Sequence, residues 1–264
     1  MMGLSIYGAR GVQILIVILV GTTPSIPPTL NFPNYTGWGA DQGQVADLSL
    51  PVLVPHDYER IANLYKMQDL ATISPPNTDP TVLAGYRAQQ KLWADGMRNK
   101  DISFLQYLVP SRPGGIPVGL YITSRGTVNI NITDPELEPI VDYRALSNPV
   151  DLELMVAYIK FLRRFLQSPP FAEYNTTEIY PGPSYDTDDM LRQYARSGYS
   201  PEGWHPVGTA AKMRRELGGV VDDELRVYGV RGLRVVDASV MPTLPGGATQ
   251  HTVYAIAEKV SYSL

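Results

Sequence analysis

The stretch LRVYGVRGLRVVDASVMPTLPGGATQHTVYAIAEKV, Leu225 to Val260, decides the fold. Short alternating apolar runs lie on either side of Gly229 to Gly232, and they predict two strand-like segments with Leu233, Val235 and Val236 buried. Asp237 closes the second run. Past the loop that holds Gly246 and Gly247, residues 252–259 predict a helix with Val253, Ile256, Ala257 and Val260 along one face. A strand ending in an acidic residue, then a glycine loop, then a helix N-terminus is an order in which α/β proteins hold a ligand, because unpaired amides gather there. The same order also serves as a plain structural turn, with Asp237 as a strand-end cap. The residues alone leave both readings open.

Upstream, PVDLELMVAYIKFLRRFL (149–166) predicts the clearest helix. Pro149 suits its first turn, Asp151 and Glu153 its positive end, and Leu152, Met155, Val156, Ile159 and Leu162 form one apolar stripe. Residues 81–98 are compatible with another helix despite Gly85, and a shorter one is expected after Asp186 through Met190, Leu191 and Tyr194. Between them, Val118, Leu120 and Ile122 alternate, a turn falls at Ser124 to Gly126, and Val128 and Ile130 alternate again, which predicts a hairpin. Pro27 to Pro55 reads as irregular surface chain. The charge clusters Asp186 to Asp189 and Arg163-Arg164 read as solvated helix faces or ends.

The composition removes several kinds of chemistry. With 264 residues the chain buries a sizeable core as one large domain or two small ones. It has no cysteine, so disulfides, thiolate nucleophiles and sulfur-ligated metals are out. A histidine metal cage would need all three imidazoles, His56, His205 and His251, and no metal is expected. The formal net charge is -4 and the arginines are dispersed, so no nucleic-acid partner is expected. GVQILIVILVG (11–21) fits a buried strand, a secretory targeting core or a membrane-associated segment, and all three stay open. The acceptor triplets at Asn34, Asn131 and Asn175 matter only if the chain is secreted.

GWHPVGTAAKMRR (203–215) holds His205 between Trp204 and Pro206. A neutral imidazole titrates at about pH 6.5 and can take the proton that alcohol oxidation releases. It can equally sit buried and satisfy loop hydrogen bonds.

The combination of GWHPVGTAAKM with GVRGLRVVDASVMPTLPGGATQHTVYAIAEKV resembles the C-terminal region of the glucose-methanol-choline oxidoreductases, especially the fungal members. SRGTVNI and DPELEPIVDYRALSNPVDLELMVAYIK stand upstream in that family's order. The resemblance covers residues 110–264, more weakly from residue 35 onward. It implies FAD and a two-part fold. The expected class is an α+β substrate domain, an antiparallel sheet with flanking helices, plus the C-terminal strand and helix of an incomplete α/β FAD-binding domain. Residues 1–30 are then an apolar segment of open assignment, 31–200 mostly substrate-binding domain, and 201–264 the catalytic-histidine segment with the C-terminal part of the FAD-binding domain. The family's G-x-G-x-x-G fingerprint is absent, YGARG is no substitute, and the family's chains are more than twice as long.

By the same resemblance the chemistry is oxidation of the CH–OH group of a small organic or aryl alcohol. His205 takes the hydroxyl proton and flavin N5 receives the hydride. The family's second catalytic position, a histidine or asparagine, falls on Ala248, whose methyl group can neither donate nor accept; His251, three positions on, is the imidazole nearest in sequence. Asp237 and Ala238 fall near the flavin phosphate or ribitol, Thr249 and Gln250 offer backbone N–H groups to the isoalloxazine edge, and Trp204 packs on the flavin or fills the core. The alternative is a truncated, noncatalytic homologue unable to hold FAD alone, and a separate chain carrying the FAD domain is a third arrangement.

Overall fold

The computed structural model describes residues 6–9, 13–15, 19–21, 44–109, 116–169, 176–178, 181–200 and 205–261. In chain order the elements begin with strands β1 (Ile6–Ala9), β2 (Gln13–Leu15), β3 (Leu19–Gly21) and β4 (Gln44–Ser49). Helices α1 (Leu50–Leu53), α2 (Tyr58–Lys66), α3 (Leu70–Ile73) and α4 (Pro80–Gly96) follow, then strands β5 (Ser103–Val109), β6 (Ile116–Gly119), β7 (Gly126–Asn129) and β8 (Ile140–Asp142). The rest is α5 (Pro149–Leu166), β9 (Thr176–Glu178), α6 (Asp188–Gly198), β10 (Tyr199–Ser200) and α7 (Thr249–Ser261), with 3-10 turns at Arg215–Leu217 and Ala238–Val240. The main sheet has the order β10-β2-β6-β5-β4, and every pairing in it is antiparallel. Smaller sheets join β1-β7-β8 and β3-β9. This is the expected α+β arrangement, helices against small antiparallel sheets.

The apolar stripe of α5 organises the core. Leu152, Met155, Val156, Ile159 and Leu162 are all buried, and Tyr158 donates its hydroxyl hydrogen to the Phe104 carbonyl at 2.9 Å, tying the helix to β5. Asn148 caps the helix by accepting from the Val150 amide, and Pro149 occupies the first turn, where a missing N–H costs nothing. Trp93 of α4 meets Phe104 edge-on and lies 4.0 Å from the Tyr121 ring.

Three sequence expectations change here. First, β6 and β7 do not form a hairpin: β6 pairs with β2 and β5, β7 with β1 and β8. The cause is Asp151, which is fully buried and accepts from the amides and hydroxyls of Thr123 and Ser124 at 2.5–3.0 Å. These four bonds draw the connecting chain onto the end of α5 and send the two strands into different sheets. Second, the supposedly irregular stretch to Pro55 contains β4, registered on β5 from Gln44↔Val109 to Ser49↔Ser103, and α1, whose Leu50 and Leu53 are wholly buried. Third, the runs around Gly229 to Gly232 form no strands: they are joined by the isolated bridge Arg226↔Arg234 and by the Val227 and Val235 amides donating to the Leu233 and Leu225 carbonyls. Leu233 and Val236 are 48% and 39% exposed, because no described strand lies beside them. Ala257 is exposed as well, while Val260 is buried and Val253 and Ile256 are partly so.

Arg163 is less solvated than expected. Arg163 donates to both oxygens of Glu178 at 2.8–3.2 Å, and both side chains are mostly buried. Glu153 of α5 accepts from Arg60 of α2 at 2.6 Å and Arg192 of α6 at 2.7 Å, so one carboxylate joins three helices. Burial opposes its charge, but the two guanidinium groups hold its carboxyl below the usual range.

Gly85 explains how α4 docks. A Cβ there would run into the Leu217 carbonyl oxygen, so the helix backbone lies directly against the 3-10 turn. Glycine to alanine inside a helix ordinarily gains about 1 kcal/mol. Gly85→Ala is expected to do the opposite and cost about 1–3 kcal/mol through overpacking, read as a lowered midpoint in thermal unfolding followed by circular dichroism.

Residues 13–15 and 19–21 of the apolar N-terminal stretch are strand, and among the described residues no helix is long and apolar enough to cross a membrane.

Candidate active site

The segment after His205 is fixed by its backbone and by one apolar anchor. Val207 is buried among Val118, Ile122, Met241 and Leu244, and Gly208 adopts φ 88°, a left-handed turn that favours glycine. Ala210 and Lys212 then donate their amides to the carbonyls of Ser239 and Val240 at 3.0 and 2.8 Å. The histidine segment is thereby sewn to the 238–240 turn that leads into the glycine loop.

At the end of that loop α7 begins, and its first residue reaches back. The His205 Nδ1 lies 2.7 Å from the Thr249 hydroxyl oxygen, and the Thr249 backbone N–H points at the same nitrogen over 3.5 Å. Thr249 is buried, and His205 is partly so. Burial disfavours the charged ring and moves the His205 pKa below its ordinary 6.5. The unfolded chain then binds the proton more readily than the folded one. This contribution to stability is present above about pH 6.5 and is lost as the pH falls through the lowered folded value. A histidine proton titration by NMR is expected to give His205 a midpoint below 6.5.

The loop itself offers open backbone. A Cβ at Gly246 would meet only the Tyr121 hydroxyl, at 3.5 Å, and one at Gly247 only the Gln106 amide nitrogen, at 3.9 Å. Tyr121 and Gln106 therefore supply polar groups beneath the loop, and burial raises the Tyr121 phenol above its usual value. Sequence reasoning missed both. For Tyr121 the signal was its place between Leu120 and Ile122, which leaves a polar-tipped side chain between two apolar ones.

Of the other candidates, Ala248, Gln250 and His251 are exposed at the start of α7, and no hydrogen bond joins His251 to His205 among the described residues. Asp237 caps the 238–240 turn, accepting from the Ser239 amide at 2.8 Å and from its hydroxyl. Ala238 is partly buried against the apolar cluster that includes Val207. Trp204 lies outside the described residues. A cleft of about 720 Å³ runs along α7 between Leu225, Arg234, Met241, Pro242, Ile256 and Lys259; His205 does not line it. Among the described residues no cluster of side chains is suited to a metal ion.

The loop, the histidine and the first part of α7 fall within residues 123–257, which match the family described as GMC oxidoreductase. The chain belongs to that family. It is 33% identical over 204 residues to dehydrogenase xptC of Emericella nidulans, a match covering 77% of this chain and 33% of that protein. Among solved structures, a fungal aryl-alcohol oxidase superposes with a TM-score of 0.84 at 31% identity, over 96% of this chain and 47% of that one. An FAD-dependent oxidoreductase from Chaetomium thermophilum superposes with a TM-score of 0.86 at 27% identity, over 97% and 47%. The chain thus spans a third to a half of the length of these relatives. Its relatives also include an alcohol dehydrogenase [acceptor] of Pseudomonas putida, 38% identical over 138 residues, 52% of this chain and 25% of that protein.

Proposed function

We propose that this chain is the substrate-side part of an FAD-dependent oxidoreductase acting on the CH–OH group of a small organic or aryl alcohol, with His205 as the base. The observation that carries the proposal is the pairing of His205 with Thr249 at the first turn of α7, beside an open glycine loop. The residues fit FAD in part. Gly246 and Gly247 leave room for a flat ring to approach, and the backbone amides of residues 248–250 would hold its edge. The described residues contain no glycine-rich strand-turn-helix to take a pyrophosphate, so the rest of the dinucleotide needs a cradle supplied by other chain, in cis or from a separate FAD-domain protein.

When bound, FAD supplies a two-electron acceptor for the hydride that leaves the carbinol carbon. The work of His205 is the proton. When the Thr249 hydroxyl accepts a hydrogen carried on Nδ1, the ring offers the Nε2 lone pair to the substrate hydroxyl; the O–H bond breaks, imidazolium forms and the C=O bond closes. Burial keeps the ring neutral near pH 7 and so ready to accept.

A second reading, a noncatalytic homologue that cannot hold FAD alone, is favoured by the methyl group of Ala248 and the exposure of Leu233 and Val236. One measurement separates the two: incubation of the purified chain with FAD, gel filtration, and the visible spectrum of the protein peak. Co-eluting flavin absorption supports the oxidoreductase. A colourless peak that stays colourless when an FAD-binding half from a relative is added supports the second reading.

A further inference from the structure

Both hydrogens that Thr249 can offer lie on one side of His205. The hydroxyl, 2.7 Å from Nδ1, rotates and can either donate or accept; the amide, 3.5 Å away and aimed at the same nitrogen, can only donate. An N–H aimed at a second N–H is repulsive, whereas aimed at a lone pair it is a weak hydrogen bond. The helix adds to this preference. Thr249 opens α7, where unpaired amides carry the positive end of the helix dipole, and that end favours a lone pair over a proton facing it. His205 makes no other hydrogen bond among the described residues, and burial lowers its pKa.

We propose that Thr249 is a positioning residue that decides which ring nitrogen of His205 carries the proton: in the resting chain its amide and hydroxyl hold Nδ1 as an acceptor and the hydrogen sits on Nε2. The proposal rests on the reading of His205 as the base, and it adds a condition to that reading. A ring with its hydrogen on Nε2 presents a donor to the substrate, suited to a carbonyl or alkoxide oxygen. It becomes a base only when the Thr249 hydroxyl turns to accept from Nδ1. The change moves one proton from Nε2 to solvent and one from solvent to Nδ1, with no net change in charge.

The test uses the whole chain labelled with 15N-histidine at about pH 8, above the ordinary histidine value, where long-range 15N–1H correlations read the tautomer of each ring. With only three histidines, His56→Gln and His251→Gln assign the spectrum. The expected result is an Nε2–H ring for His205, a ratio of Nε2–H to Nδ1–H lowered about fivefold in Thr249→Val through loss of one hydrogen bond, and restoration in Thr249→Ser. A dominant Nδ1–H ring in the unaltered chain overturns the proposal, as does a ratio that Thr249→Val leaves unmoved. Should Thr249→Val fail to fold, the unaltered and Thr249→Ser chains still decide it by their dominant tautomer. A merely structural threonine would change the melting temperature without changing the ratio. Failure of the oxidoreductase reading is separate, because it appears as lack of flavin uptake whatever the tautomer.

Discussion

Asp151→Asn is expected to lower the stability of the chain by about 3 kcal/mol, the scale for removing one partner from a buried charged network, read as a reduced denaturant midpoint with an unchanged slope. The carboxylate is completely buried and takes hydrogen bonds from four donors, two amides and two hydroxyls. Burial pushes its pKa up, while the four donors pull the other way. An asparagine keeps the shape, but it turns one acceptor oxygen into an NH₂ that faces the donors of Thr123 or Ser124. One side of the network then has no acceptor. Because Thr123 and Ser124 also route β6 and β7 into separate sheets, the loss reaches beyond a single contact. Glu153→Gln is the comparison. Its two guanidinium partners are more open to solvent, and the variant is expected to cost about 1 kcal/mol or less.

Ala248→His is expected to raise the rate of flavin reduction by about 10²-fold in any sample that holds flavin, the scale of one positioned hydrogen-bonding group in an active site. Ala248 is exposed and immediately precedes the threonine that grips His205, so a larger side chain has room without entering the core. An added imidazole would give the substrate oxygen a second partner where a methyl group gives none. Single-turnover reduction under anaerobic conditions is the measurement. In the same background His205→Ala is expected to remove at least the 10²-fold typical of a general base. If Ala248→His leaves the rate unchanged while His205→Ala lowers it, position 248 does not face the substrate.

The helices were legible because they carry long periodic patterns. The stripe from Leu152 to Leu162 predicted α5 over the span at which it is found, and the run after Asp186 predicted α6. The strands were harder to read. β4 is a mixed polar segment whose Val45 is 54% exposed, and only its register on β5 makes it a strand. The false hairpin came from reading alternation on both sides of a turn without seeing that a carboxylate on a distant helix claims the turn's amides. At the site, the character of His205 as a candidate was visible in the sequence, but its partner was not. Thr249 was read for its backbone, and its hydroxyl reaches an imidazole 44 positions away in the chain. Leu233 and Val236 were expected to be buried from their apolar alternation and are exposed, because no described strand lies beside them.

The position of α4 has a consequence for how this site can diversify. One face of the helix is pressed against Leu217 through Gly85, and further along Gln89 donates its amide to the Pro242 carbonyl at 3.0 Å. Pro242 is thus pinned on one side of the glycine loop, and Thr249 is pinned to His205 on the other. Residues 243–248 span two fixed posts. Leu244 within that span belongs to the apolar anchor around Val207, but the side chains at 243, 245 and 248 can be exchanged one at a time while the frame that holds the imidazole stays put.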